Sequence, residues 1–410
     1  MQFKNLIGQG KIKEQLKDLV LNNRLSHSLL FIGREGAGAL PISIAFAQYI
    51  LCEKINHAKT QEKITSLFDS KGSESTSADI EDSCGICPSC IKAAQLIHPD
   101  LHFSYPVLKR DSKHERILST DYITEWREFV QQSPYNNVVD WINFLKENAS
   151  IENPINKQGN ITVFECDDIS HKLSLKPFEG AYKILIMWMP EFLGNSGNKL
   201  LKLIEEPPPD TIFIFVAEDE NAILPTILSR TQLVRIPTLT QFDIENILIE
   251  QYQVASEKAL QIAAISEGNF REALLLLQNS DEGLLMTIRE WLNITVKNNV
   301  PLQVKWIDDV SRKGREKQKQ LLKYFVHLIE QGIRVRYLDE KDLNSIPESE
   351  KDFAIRLNKI CGIDAQEAII NELDKGIYHI ERNAHAKMLF HALTIRFLHI
   401  IRDNSLILVN

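Results

Sequence analysis

The sequence lacks any apolar run long enough to cross a membrane, which would need about eighteen consecutive apolar residues. Its N-terminal segment, MQFKNLIGQGKIKEQ, also lacks the apolar core of a secretory signal peptide. These two absences argue against membrane insertion and against export. We therefore expect the chain to work in the cytoplasm, without a membrane partner.

An excess of positive charge is also missing, because 47 lysines and arginines stand against 55 aspartates and glutamates, for a net charge of −8. This balance argues against a broad surface that grips nucleic-acid phosphates, although it allows a local basic patch. Glycine and proline are few, at 17 and 15, and 44% of the residues are hydrophobic, which is typical of a globular protein. A chain of 410 residues exceeds what one hydrophobic core usually organises, so we expect two or three domains.

Between residues 28 and 237, short apolar runs alternate with helix-like stretches. Each run is apolar throughout, which is typical of parallel strands that are covered on both faces. The predicted strands are SLLFIG (28–33), ITVFEC (161–166), KILIMW (183–188), TIFIFVA (211–217) and QLVRIP (232–237). The pattern predicts an α/β domain built on a parallel sheet.

After Pro237 the strand-like runs end and only helical patterns follow. Thr240 and Asp243 have the spacing of a capping box, which predicts the start of a helix. Further along, stretches such as KQLLKYFVHLIEQ and HAKMLFHALTIRFLHII are amphipathic at helical spacing. Long apolar faces of this kind predict an element that drives oligomerisation.

We predict three domains from these changes of pattern. Residues 1–238 form the parallel-sheet domain, 239–283 a small helical domain and 284–410 an all-helical oligomerisation domain. Two segments of the first domain fall outside its regular pattern. Residues 56–83 are polar and predict a solvated insertion, and residues from about 105 to 160 form an enlarged insertion.

The first predicted strand leads into a glycine-rich turn and a helix, as in a P-loop. A working P-loop reads G-x-x-x-x-G-K-[ST], in which the lysine neutralises phosphate charge and the hydroxyl binds magnesium. The turn here reads GREGAGAL: it keeps Gly33, Gly36 and Gly38, but Ala39 replaces the lysine and Leu40 the hydroxyl residue. A second interpretation is a glycine-rich turn that never binds nucleotide.

The strand KILIMW has lost polar residues as well. P-loop ATPases end this strand with acidic side chains that hold magnesium and orient water. Trp188 and Met189 stand in those positions, and Glu191 comes a few residues later. We therefore predict that this chain neither hydrolyses ATP nor holds Mg²⁺, and that its glycine loop is a degenerate nucleotide site.

Three of the six cysteines lie within seven residues in the pattern C-x-x-C-x-x-C: Cys84, Cys87 and Cys90. Soft thiolates at this spacing suit tetrahedral zinc, whereas free surface thiols would be reactive. Candidates for the fourth ligand are Cys52, His57 and His98. The cluster predicts a structural zinc module over residues from about 52 to 100, because four protein ligands leave no position open for catalysis.

Seven motifs follow one another in the order found in clamp-loader subunits: IGQ (7–9), SHSLLFIG, the P-loop frame, HPDLH, KLLKLIEEPP, LPTILSR and GNFREAL. Through them, residues 1 to about 280 resemble the AAA+ clamp-loader family, and most of all its delta-prime members in bacterial DNA polymerase III. The resemblance implies an AAA+ P-loop domain, a helical lid and an all-α C-terminal collar. It also implies a hetero-pentameric ring with ATPase subunits and delta, which loads the sliding clamp on primer-template DNA as part of the polymerase holoenzyme.

The resemblance assigns roles to individual residues. It makes Cys52 the fourth zinc ligand and Arg230 an arginine finger that acts in trans on the nucleotide of a neighbouring subunit. It places Arg271 at a phosphate-sensing position. The alternatives are that Arg230 caps a helix C-terminus and that Arg271 forms a structural ion pair. The motif around Arg230 reads LSRT, where the family usually has Ser-Arg-Cys.

Two other functions compete with a non-hydrolysing ring subunit. One is an ATPase that uses unorthodox residues such as Glu191 or Arg34. The other is a zinc-dependent nucleic-acid-binding protein that reuses an ATPase fold. The acidic balance, and the lack of interleaved basic and aromatic residues near the cysteines, count against the latter.

Overall fold

The computed structural model describes residues 1–56, 82–110, 116–149, 151, 159–278, 281–337, 347–382 and 384–403. The chain divides into two compact units. Unit 1 comprises residues 1–247 and 267–272, and unit 2 comprises residues 248–266 and 273–410. Most of the predicted insertion at 56–83, including His57, lies outside the described residues.

Unit 1 is built on one five-stranded sheet. Its strands are β1 (Ser28–Gly33), β2 (Leu101–Ser104), β3 (Lys183–Trp188), β4 (Thr211–Ala217) and β5 (Gln232–Ile236). They lie in the order β2-β3-β4-β1-β5, and every neighbouring pair is parallel. The predicted parallel sheet is confirmed, and the glycine loop follows the carboxyl end of β1, a strand with a neighbour on each side.

The inner strands β1, β3 and β4 are almost wholly apolar because both faces of the sheet are covered there, whereas the edge strand β5 exposes Gln232 and Arg235. β3 and β4 are buried along their whole length. Alternate residues of β1, β3, β4 and β5 contribute to two hydrophobic cores, and β2 contributes to one of them. One core contains α2 (Ala39–Leu51), whose residues are all buried, and the other contains α6 (Val163–Ser174).

The other helices of unit 1 connect or extend this sheet. They are α1 (Gly10–Leu21), α3 (Pro88–Ala94), α4 (Ile123–Gln132), α5 (Val138–Asn148), α7 (Leu201–Glu205) and α8 (Pro225–Leu228). The predicted helix over GNSGNKLLKLIEE divides into a 3-10 segment, Pro190–Leu200, and α7. Gly194, at φ 49° and ψ −142°, interrupts the helical backbone within the first part.

The prediction of a strand at ITVFEC was wrong, because this segment begins α6. β-branched and aromatic residues favour a strand locally. Two features decide for a helix. The Thr162 side chain caps the N-terminus by accepting the Glu165 N–H at 3.3 Å. Cys166, Ile169 and Leu173 then bury one face at helical spacing.

The fifth strand instead comes from LHFS, where no strand was predicted. β2 has four residues, too few for a clear pattern, and it pairs with β3 from Leu101 opposite Ile184. The enlarged segment that follows contains α4 and α5. Trp126 and Trp141, one from each helix, are fully buried with their ring centroids 5.3 Å apart. This segment is thus part of the unit 1 core.

Unit 2 contains helices and their connecting turns, with no strand among its described residues. Its helices include α10 (Ser256–Ile265), α12 (Asp281–Val296), α13 (Val300–Ser311), α14 (Arg315–Tyr337), α15 (Glu348–Ile360), α16 (Ile363–Glu381) and α17 (Ala386–Asp403). Trp291 lies at the centre of an aromatic core, stacked on Trp306 at 4.7 Å. Its indole N–H donates to Thr394 Oγ1 at 2.9 Å.

Two helices, α9 (Gln241–Glu250) and α11 (Phe270–Gln278), have residues in both units. The predicted capping box at the start of α9 is confirmed, since Asp243 and Thr240 each accept the backbone N–H of the other at 3.1 Å. The division at 238 and 283 stays a prediction. No described helix is both long and apolar enough to span a membrane.

Candidate functional site

Four cysteines of unit 1 converge on one point. Cys52 follows α2, while Cys84, Cys87 and Cys90 lie before and within the first turn of α3. Their Sγ atoms all lie within 4.8 Å of one another, and those of Cys84 and Cys90 are 3.9 Å apart. The structure therefore places Cys52 beside the three clustered cysteines.

His98, another candidate ligand, has different partners. Its Nε2 lies 2.8 Å from Ser89 Oγ and its Nδ1 accepts the Asp100 N–H at 3.1 Å. The ring is buried, and this desolvation lowers the pKa of His98. His98 thus fixes the turn between α3 and β2.

The cysteine cluster fits a tetrahedral metal ion. Zinc–thiolate bonds of about 2.3 Å place the sulfurs about 3.8 Å apart, close to the Cys84–Cys90 distance. The backbone N–H groups of Cys84, Cys87 and Cys90 donate to the Sγ atoms of Cys52, Cys84 and Cys87, respectively, each at 3.4 Å. Such donors stabilise thiolates, and thiolates select soft metals such as zinc.

The thiols also differ in acidity. A hydrogen bond from the Cys90 thiol, helped by backbone donors, lowers the pKa of Cys52 to about 5. The same contact raises the pKa of Cys90, and burial raises the pKa of Cys87. Cys52 is thus the most acidic thiol of the cluster, and a bound cation would favour loss of protons from all four.

The glycine loop keeps the backbone of a P-loop. Gly36 and Gly38 have φ of 70° and 94°, in the left-handed region that favours glycine. Ala39 and Leu40 begin α2 and are buried. Their side chains offer neither a cation for phosphate nor a hydroxyl for magnesium.

The space over this loop is filled by the segment 134–136, which connects α4 and α5. A Cβ atom at Gly38 would lie 2.9 Å from the Tyr135 ring. The Tyr135 hydroxyl accepts the Ile7 N–H at 3.1 Å, which holds the ring in place. The cavity between this segment and residues 33–41 measures about 30 Å³. That volume holds one or two water molecules and no triphosphate.

A larger cleft of about 1100 Å³ lies beside the loop. It is bordered by residues 8–12 and 235–238, and it does not include Gly36 or Gly38. Its charged lining consists of Lys11, Arg34, Glu218, Glu220, Arg235 and Asp243. Acidic and basic groups balance there, so the cleft lacks the concentrated positive charge that a triphosphate needs.

The end of β3 carries no catalytic acid. Trp188 and Met189 are buried. The Glu191 carboxylate accepts the backbone N–H groups of Glu218 at 2.7 Å and Asp219 at 3.1 Å, and burial raises the pKa of Glu191. It does not line the cavity over the glycine loop. Glu191 therefore holds the turn after β4, which weakens its candidacy as an unorthodox catalytic residue.

Arg271 is buried in an ion-pair network within unit 1. Its Nη1 donates to Glu35 Oε1 at 2.9 Å, and its Nη2 donates to Asp140 Oδ1 at 2.7 Å. Its Nε contacts the same Asp140 carboxylate. Glu35 belongs to the glycine loop and Asp140 to the first turn of α5. The Arg271 guanidinium, to which the resemblance assigns phosphate sensing, thus already pairs with two carboxylates.

Arg230 lies on the surface, just after α8. Its Nε donates to Glu205 Oε1 at 2.5 Å, and its Nη2 contacts the same oxygen. Its Nη1 donates to the Thr226 carbonyl at 2.9 Å. About a third of the side chain is exposed. A cation is favoured at this helix C-terminus, and the guanidinium is also accessible to a partner.

A family model described as "DNA polymerase III, delta subunit" matches residues 8–74 and 64–240, more than half of the chain. The chain belongs to this family. The predicted AAA+ clamp-loader membership and fold class are confirmed, since a parallel P-loop sheet and a helical C-terminal region accompany the match. The five-stranded sheet lies within the residues that the family model matches.

Two relatives from Bacillus subtilis are distant in sequence. The DNA polymerase III subunit delta' of Bacillus subtilis is 24% identical over 273 residues, which cover 67% of this chain and 60% of that protein. The subunit tau of Bacillus subtilis is 23% identical over 302 residues, 72% of this chain and 40% of that protein. The chain thus spans less than two thirds of the length of either relative.

One similar solved structure is a DNA polymerase III gamma subunit-related protein from Thermotoga maritima. It is 16% identical, with a TM-score of 0.37, and covers 95% of this chain and 100% of its own.

Three residues of this clamp-loader family protein had no predicted role: Glu35, Tyr135 and Asp140. Tyr135 packs over the glycine loop, and Glu35 and Asp140 pair with Arg271. Only Asp140 had a sequence signal, because Asn137 and Asp140 form a capping box at the start of α5. That signal marks a helix start and says nothing about an arginine far along the chain.

Proposed function

We propose that this chain is a delta-prime-type, non-hydrolysing subunit of the replicative clamp loader. In this role it supports ATP-driven loading of the sliding clamp on primed DNA. One observation carries the choice of subunit: Tyr135 fills the place over the glycine loop, while Arg230 stays exposed. A chain with this geometry can serve a neighbour's nucleotide without turning over its own.

The proposed partners are the ATPase subunits and delta, in a hetero-pentameric cytoplasmic ring. Contacts with the sliding clamp and primer-template DNA would be made through the complex. Arg230 would enter the neighbouring nucleotide site, where a planar guanidinium stabilises charge on the transferred phosphoryl group. Arg271 would serve as a structural ion pair.

Zinc is the proposed ion of the cysteine cluster, held by Cys52, Cys84, Cys87 and Cys90. It would join α2, which belongs to the central core, to α3, which contributes few buried residues of its own. Its role would be structural, since four sulfur ligands leave no open position.

Reconstitution tests the proposed function directly. The chain should co-purify with the other clamp-loader subunits of the same cell, and clamp loading on primed DNA should depend on it. A complex that loads clamps equally well without this chain would contradict the proposal.

The isolated chain is expected to show no ATPase activity above background. Ala39 and Leu40 supply neither phosphate neutralisation nor magnesium ligation, and Tyr135 packs against Gly38 and leaves a cavity of only about 30 Å³ over the loop. The measurement is phosphate release by the purified chain, beside a Gly38→Val variant, which strains the loop at its left-handed φ and should release phosphate at the same background rate. Turnover that persists through purification and disappears in Gly38→Val would overturn the prediction.

Assembly is expected to depend on the predicted collar region, 284–410. On α17, Met388 and Ile395 are 69% and 56% exposed and lie seven residues apart, on one face of the helix. Replacing both with glutamate in the full chain should weaken assembly by at least roughly tenfold, because each buried charge at an interface is costly.

The control for assembly is Phe178→Glu in unit 1, where the side chain is 82% exposed. Binding is measured by titrating each purified chain into the remaining subunits. Undiminished affinity of the double variant would place the assembly surface elsewhere.

A further inference from the structure

Glu205 is the acidic partner of Arg230. The carboxylate contacts both Nε and Nη2, so it occupies one edge of the guanidinium fork. Both side chains are partly exposed, at 46% for Glu205 and 35% for Arg230. Such a surface pair adds little to folding stability, so its effect on the position of the arginine is of more interest.

The backbone on each side of this pair is anchored. Ile204 precedes Glu205, Ile227 lies on α8, and both side chains are buried in the same hydrophobic core. Three prolines, at 207–209, follow Glu205 and restrict the chain there. The carboxylate is therefore presented from a fixed site, whereas an arginine side chain without a partner would sample many rotamers.

The rest of the guanidinium is oriented by weaker contacts. Nη1 donates to the Thr226 carbonyl at 2.9 Å and to Ser229 Oγ at 3.1 Å. These acceptors are neutral, so an anion can replace them more easily than it can replace a carboxylate. The edge between Nη1 and Nη2 is thus the one that a phosphate would take.

We propose that Glu205 is a positioning residue for Arg230, an inference that rests on the proposed trans role of the arginine. The carboxylate holds the Nε–Nη2 edge and directs the opposite edge outwards. A neighbour's γ-phosphate then meets an arginine that has already lost its rotamer freedom. Glu205 itself touches no reacting atom.

The test uses the reconstituted clamp loader with Glu205→Ala, Glu205→Gln and the control Glu206→Ala. Glu206 is the exposed neighbour, so its removal changes the net charge equally. Steady-state ATPase is measured with clamp and primed DNA present. Glu205→Ala should lower kcat at the neighbouring site by about tenfold to a hundredfold, the usual cost of misplacing a catalytic group. The KM for ATP should stay within about twofold, because ground-state binding is not altered.

Two further variants separate positioning from a structural role. Glu205→Gln should recover most of the lost kcat, because its amide oxygen still accepts from the guanidinium. Glu205→Ala combined with Arg230→Ala should be no slower than Arg230→Ala alone, since the carboxylate acts only through the arginine.

The outcomes distinguish this inference from the function on which it rests. A wild-type kcat for Glu205→Ala, with a slow Arg230→Ala, would overturn the positioning role and leave the trans arginine intact. A faster Glu205→Ala would also overturn it, since the carboxylate would then sequester the arginine. Wild-type rates for both variants would overturn the trans role itself.

Discussion

Replacing Arg230 with alanine should lower ATP hydrolysis at the neighbouring nucleotide site of the assembled clamp loader by roughly a thousandfold or more. An arginine supplied in trans stabilises negative charge that develops on the transferred phosphoryl group, and no other group of this chain is proposed to do so. Clamp loading should fall with it. Folding, metal content and assembly should stay unchanged, because the substitution removes an exposed side chain whose ion pair with Glu205 contributes little stability.

The matched control is Arg235→Ala, which also removes an exposed arginine paired with a glutamate, Glu220. It should leave the complex active. Arg230→Lys should rescue poorly, because an ammonium lacks the planar fork that binds phosphate oxygens in pairs. ATPase is compared at matched assembly, checked by gel filtration. Equal rates for wild type and Arg230→Ala would show that the arginine only caps α8.

The central strands were predictable because burial on both faces leaves a simple mark. β1, β3 and β4 are nearly uninterrupted apolar runs, whereas the edge strand β5 exposes Gln232 and Arg235, and each of the four lies where it was predicted. Segment 161–166 was wrongly predicted as a strand because residues with strand propensity occupy the first turn of α6. The Thr162 cap and the buried helix face outweigh that propensity. β2 was not predicted because four residues are too few to show the alternation of apolar and polar residues that is typical of a strand.

The candidate site divides in the same way. Spacing along the chain was enough to predict that Cys84, Cys87 and Cys90 share a site, since two residues separate each consecutive pair. The replacement of the P-loop lysine and hydroxyl residue by Ala39 and Leu40 could equally be read from the sequence. The packing of Tyr135 over the glycine loop and the pairing of Asp140 with Arg271 could not be predicted. Both residues belong to a segment about a hundred residues from the loop, and its sequence pattern indicates only its own helices.

Arg271 shows why a motif cannot give a role by itself. The motif GNFREAL led, through the resemblance, to the prediction that Arg271 senses phosphate. Its surroundings decide what it binds, and here two carboxylates already satisfy it. A buried arginine keeps its charge, so it needs anionic partners whether or not nucleotide is present. Asp140 and Glu35 supply them, and this pairing explains how the chain can keep the arginine without a triphosphate.

Loss of the metal is the second change with a large expected effect. Purified wild-type chain should contain one zinc per chain by elemental analysis. Cys84→Ser should lower zinc occupancy to near zero and reduce the free energy of unfolding by about 4 kcal/mol or more, as is usual when a structural metal is lost. The loss should be large because Cys52 and Cys90 are buried in the same core as the P-loop helix, α2. Without the cation, the four sulfur atoms lose the bonds that join α2 to α3, and the polar cluster stays in the core with its centre empty.

Cys166→Ala is the control, since Cys166 is a buried thiol outside the cluster. It should keep its zinc and lose only the stability expected of a small core change. Acid should mimic Cys84→Ser, because protons compete with zinc for thiolates: affinity should fall as the pH is lowered, and most steeply once even Cys52, with its pKa of about 5, becomes protonated. Chelator-treated wild type should then melt like Cys84→Ser in a thermal scan. A metal-free wild-type chain that melts at the temperature of the zinc-loaded chain would show that the four cysteines pack as ordinary thiols, and the structural-zinc proposal would fall.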